Sequence, residues 1–61
     1  MTVAEEFEAL QGRWNEPGVA LLLVREATTL LARCRREDPQ LFPAIYKFRD
    51  RAKRLAMFGA A

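Results

Sequence analysis

The chain has no histidine and a single cysteine, Cys34. One cysteine excludes a disulfide within the chain. A structural zinc site needs several Cys or His ligands, so no metal is expected, and no motif calls for a cofactor. The commonest general base is missing as well. Glycine is scarce: Gly12, Gly18 and Gly59 are too far apart to form a phosphate-cradling loop. The longest apolar run, Val19 to Val24, is ended by Arg25 and Glu26. A membrane-spanning helix needs about 20 apolar residues, so none is expected. No stretch alternates with the period of a strand. The lone cysteine and the lack of a secretory pattern fit a cytoplasmic protein.

What the 61 residues do hold is apolar side chains, 51% of the total, arranged in stripes. Thr2 with Glu5 has the form of a capping box, a hydroxyl followed three residues later by a carboxylate. Val3, Phe7, Leu10 and Trp14 then recur on one helical face, and Asn15-Glu16-Pro17-Gly18 breaks the pattern. A second helix is expected from Pro17, a favoured first helical position. Its inner stripe is Ala20, Leu23, Val24, Ala27, Leu30, Leu31 and Cys34, with Arg25, Glu26, Thr29, Arg33 and Arg36 opposite. Asp38-Pro39 ends it, because a residue before proline is driven out of the α region.

The third segment can start in two ways. Asp38 can cap a helix beginning at Pro39, or a turn or short 3₁₀ piece over Pro39 to Phe42 can lead into a helix beginning at Pro43. Pro43 lacks a backbone donor and disfavours α geometry at Phe42, which supports the second reading. Its inner stripe is Ile45, Phe48, Ala52, Leu55 and Ala56, and Gly59 is a plausible stop. The expectation is one all-α domain over residues 1–61, with helices at about 2–13, 17–37 and 43–58. The second and third helices form an antiparallel hairpin. The first lays Phe7, Leu10 and Trp14 across it, its acidic start able to meet the basic end.

Candidate sites are few. Cys34 as a nucleophile needs a lowered pKa and a base, but its place on the inner stripe points to a buried small hydrophobe. Glu5, Glu6 and Glu8 as an acid–base pair need a pocket that separates their pKa values; at a helix start they instead complement the dipole. No catalytic residue is assigned, and an enzyme is not expected. Net charge is only +2, yet Lys47, Arg51 and Arg54 share a face, with Arg49 and Lys53 nearby. Together with Arg33, Arg35 and Arg36 of the second helix they suggest phosphate binding, diluted by Glu37, Asp38 and Asp50.

Leu22 fits a self-sufficient domain least well, because it lies among Arg25, Glu26 and Thr29. With Val19 and Leu21 it makes the start of the second helix apolar all round. Phe42, Tyr46 and Met57 form a further apolar flank on the third helix. A core this small is marginal alone. The expected role is therefore a non-enzymatic protein-interaction module (a regulator, adaptor or assembly subunit). It would associate through Val19, Leu21, Leu22, Phe42, Tyr46 and Met57, as a homodimer or in a heteromeric helical complex. The alternative is a nucleic-acid-binding regulator using Arg33, Arg36, Lys47, Arg51 and Arg54. A third reading is a membrane-surface helix anchored by Met57 and Phe58.

Overall fold

The computed structural model describes residues 1–58, and within them the chain is all-α. The helices are α1 (Val3–Gly12), α2 (Ala20–Glu37) and α3 (Phe42–Phe58), with a 3₁₀ turn at Pro39–Leu41. Gly59, the expected stop of α3, lies outside the described residues.

α1 starts as its sequence prescribes. The Thr2 hydroxyl accepts the Glu5 N–H at 3.2 Å, and the Glu5 carboxylate accepts the Thr2 N–H at 2.9 Å. That second bond, and then the Thr2 hydroxyl beside the carboxylate, hold the Glu5 carboxyl below its ordinary value. Two orphan donors of the first turn are thereby satisfied.

α2 starts later than expected, at Ala20 rather than Pro17. Gly18 adopts φ +70°, in the left-handed region, which interrupts a right-handed helix. Pro17 serves the turn instead, since its fixed φ suits turns and helix starts alike. Val19 caps α2 with its carbonyl alone, which accepts the Leu23 N–H at 2.9 Å. At the other end the Asp38 N–H reaches the Cys34 carbonyl at 3.0 Å, and the Leu41 N–H reaches the Asp38 carbonyl at 3.0 Å.

A 3₁₀ turn does follow Asp38, over Pro39–Leu41 and so one residue shorter than the expected Pro39 to Phe42. The disfavoured α geometry at Phe42 is nonetheless adopted, with φ −53°, ψ −50°, and Phe42 opens α3. Pro43 removes one donor to the Pro39 carbonyl, and the Phe42 N–H bonds that carbonyl in its place. A proline in the first helical turn therefore costs no hydrogen bond here.

The inner stripes meet as the core. Val3, Phe7 and Leu10 of α1 pack with Leu23, Ala27, Leu30, Leu31 and Cys34 of α2 and Ile45 and Ala52 of α3. Among the described residues no charged or polar side chain is buried. α2 and α3 run antiparallel. Arg35 lies over Phe42 at one end, while Arg49 Nε donates to Thr28 Oγ1 at 3.1 Å near the middle. The same register places Leu21 level with the end of α3.

α1 lies along one side of this hairpin. Phe7 and Trp14 both meet Phe48 edge-on, with centroids 5.6 and 5.5 Å apart, a preferred aromatic geometry. The acidic start of α1 does face a basic end, but it is that of α2. Glu6 pairs with Arg33, and Arg13 pairs with Glu26 at 3.3 Å.

Candidate interaction surfaces

The six candidate interface residues do not form one surface. Val19 is only 6% exposed and belongs to the core. Expected on a flank of the inner stripe, it stands one helical turn before Leu23, whose N–H bonds its carbonyl, and so joins the same buried face. Leu22 is 38% exposed and lines the groove between α1 and α2, with Ala9, Leu10 and Leu30 as the apolar floor. The Arg13–Glu26 and Arg33–Glu6 pairs rim that groove.

The other four lie on the opposite side of the hairpin. Phe42 is half-buried against the core, and its ring stacks on Tyr46 at 6.3 Å and 24°. Tyr46 is 51% exposed. Met57 continues the line of Tyr46, Arg49 and Lys53 along α3, by helical steps of three and four. Leu21 continues the line of Val24, Thr28, Ala32 and Arg35 along α2 in the same way. Leu21 and Met57 are 69% and 66% exposed. One continuous α2–α3 face results. Its open end carries Leu21 and Met57, and its closed end, at the 3₁₀ turn, carries Phe42 and Tyr46.

That closed end is a groove of about 630 Å³ lined by Thr28, Leu31, Ala32, Arg35, Arg36, Phe42, Tyr46 and Arg49, with no carboxylate among them. Arg35 covers the Phe42 ring at 5.4 Å and Arg49 the Tyr46 ring at 5.7 Å. Guanidinium groups stacked on aromatic faces are held in place yet keep donors free. The sequence singled out these side chains separately. Their convergence depends on the pairing of α2 with α3.

The five alternative nucleic-acid contacts are scattered. Arg33 is held by Glu6 and by Glu37, the latter at 3.2 Å, and donates to the Met1 carbonyl at 3.3 Å. Its hydrogen bonds to Glu37 and then to Glu6 raise its pKa further, and Arg33 in turn lowers that of Glu37. Arg51 lies over the Trp14 ring at 5.3 Å on the α1 side. Arg54 pairs with Asp50 at 3.5 Å. Arg36 lines the α2–α3 groove, and Lys47 is exposed on the outer side of α3.

Cys34 is buried, with Sγ 2.8 Å from the Asp38 carbonyl oxygen. Burial, and then the nearby Asp38 carboxylate, push its thiol pKa up. This is the environment of an inert thiol. Phe58 is exposed at the end of α3. Among the described residues no helix is long and apolar enough to cross a membrane, and no cluster of His, Cys, Asp and Glu is placed to hold a metal.

No protein-family model, curated protein or solved structure matches the chain.

Proposed function

We propose that the protein is a small non-enzymatic interaction module of the cytoplasm, whose α2–α3 face receives a helix from a partner. One observation carries this reading. Leu21 and Met57 stand exposed on a hairpin face that no described element of the chain covers, opposite the side filled by α1. Half-buried Val24 and Phe42 extend the apolar surface along the same face. Apolar side chains spaced along two packed helices form the groove into which an amphipathic helix lays its own stripe. The module would act as a regulator, adaptor or assembly subunit. Its lone, buried and unreactive cysteine suits a reducing compartment.

The test uses an uncharged amphipathic helical peptide of about 18 residues, roughly 27 Å long, with a Leu stripe flanked by Gln. It should bind the intact protein and raise its melting temperature in proportion to peptide concentration. The Leu21→Asp/Met57→Asp variant should keep its helical circular dichroism and lose about tenfold or more in affinity. Equal binding by variant and wild type, or no binding by a protein that is monomeric by solution mass, overturns the proposal.

A further inference from the structure

The proposed helix-receiving face leaves open what kind of helix it selects, and the inference that follows rests on that reading. We infer that the α2–α3 face selects an acidic amphipathic helix from a different protein, gripping its carboxylates with Arg35, Arg36 and Arg49 while Leu21 and Met57 hold its apolar stripe.

Charge complementarity is the first ground. Arg35, Arg36 and Arg49 converge on the closed end of the face, Lys53 lies on the same line of α3, and no carboxylate lines the groove. Asp50 stands one turn beyond Tyr46 but holds Arg54. Glu37 holds Arg33 on the flank toward α1. Among the described residues Arg35 and Arg49 make no ion pair, Asp38 included, while Arg36 lies near enough to Glu37 to help hold its carboxyl down. Arg35 and Arg49 are held over Phe42 and Tyr46, so little side-chain freedom remains to be lost when a carboxylate docks. The guanidinium fork suits bidentate carboxylate recognition.

The second ground excludes a second copy as the occupant. A twofold dimer sets the same patch against itself, so either the arginine ends of two copies face each other, which like charge disfavours, or each arginine end meets the partner copy's Leu21–Met57 end, which offers it no carboxylate. The acidic helix of another copy does not fit either. The outward residues of its α1 are Ala4, Glu5, Glu8 and Gln11, all exposed. They supply charge but no large apolar side chain to pack on Leu21 and Met57. The occupant that satisfies both ends of the face is a helix with a Leu-type stripe and Asp or Glu beside it.

The test compares two variants of the uncharged peptide, one with its Gln flanks replaced by Glu and one with Lys, against the full protein and a single-stranded oligouridine of similar length. The Glu peptide should bind about tenfold or more tightly than the Lys peptide, and its affinity should fall with added salt. The Arg35→Glu/Arg49→Glu variant should reverse that order. Arg35→Gln/Arg49→Gln should abolish the preference, and it serves as the test if charge reversal disturbs folding. Equal binding of the Glu and Lys peptides overturns the inference but leaves the helix-receiving face intact. A homodimer that buries this face also overturns it. Oligouridine binding that is tighter than peptide binding and is lost in the Arg35→Gln/Arg49→Gln variant assigns the arginines to phosphate instead, and likewise overturns it.

Discussion

On one side of the α2–α3 hairpin, α1 supplies Phe7 and Leu10 to the core and the turn after it packs Trp14 against them. On the other, Thr28, Ala32, Tyr46 and Met57 remain exposed. The two sides also differ in how their charges are used. Where α1 lies, Arg13 and Arg33 are tied to carboxylates across the helix pair. On the open side Arg35 and Arg49 rest on aromatic rings. One side satisfies its polar groups within the chain, whereas the other holds donors available to something outside it.

The largest expected effect comes from removing the aromatic hub of the covered side. Phe48→Ala deletes the ring that both Phe7 and Trp14 touch and should cost about 3 kcal/mol in urea unfolding. Tyr46→Ala, two residues away on the open side, should cost less than about 1 kcal/mol. Equal losses would mean that the open side is as structural as the covered one.

Next comes the turn that feeds α2. Gly18 has φ +70°, and a Cβ there would meet nothing within 4 Å, so any cost of substitution lies in the backbone. Gly18→Ala should destabilise the fold by about 1 kcal/mol, read from the same unfolding curves. A neutral or stabilising result would show that the turn can re-form as the helical start expected at Pro17.

The smallest effect belongs to the clasp on α1. Arg33→Gln removes pairs with Glu6 and Glu37 that are partly open to solvent, so it should lower the urea midpoint less than Phe48→Ala or Gly18→Ala, and the effect should shrink in salt. Arg33 lowers the Glu37 carboxyl from its ordinary 4.5. A depressed carboxyl stabilises the fold above its unfolded value, and that contribution disappears as pH falls through the folded one. Wild type should therefore lose part of its advantage over Arg33→Gln below about pH 4.5. A gap between the two proteins that does not change with pH would remove the ion pair from the clasp.

The inner stripes were legible because each depends only on spacing within its own helix. Leu23, Ala27, Leu30, Cys34, Ile45 and Ala52 are all buried, and all were marked by helical periodicity. The capping box at Thr2 and the 3₁₀ turn after Asp38 are equally local, and they too were readable. What could not be read depends on how helices meet. Leu22 and Tyr46 look alike on their separate wheels, but only the pairing of α2 with α3 and the side taken by α1 puts them on opposite sides. The start of α2 was misplaced by a local ambiguity, since Pro17 suits a helix start and a turn equally. Arg33 was read as part of an outward basic face, because nothing in the pattern of α2 shows that Glu6 will reach it.

The short connection at Pro39–Leu41 has a kinetic consequence. It brings Arg35 and Phe42 together after closing only a small loop, and contacts of low sequence separation form quickly. The α2–α3 pair should zip from this corner toward Leu21 and Met57, with α1 docking through the longer segment around Gly18. In the native ensemble the same order runs backwards. Backbone amides near the start of α2 and the end of α3 should exchange with deuterium sooner than those beside the 3₁₀ turn. The apolar end of the open face is thus the last part of the hairpin to order, and a helix seated there would slow its exchange first.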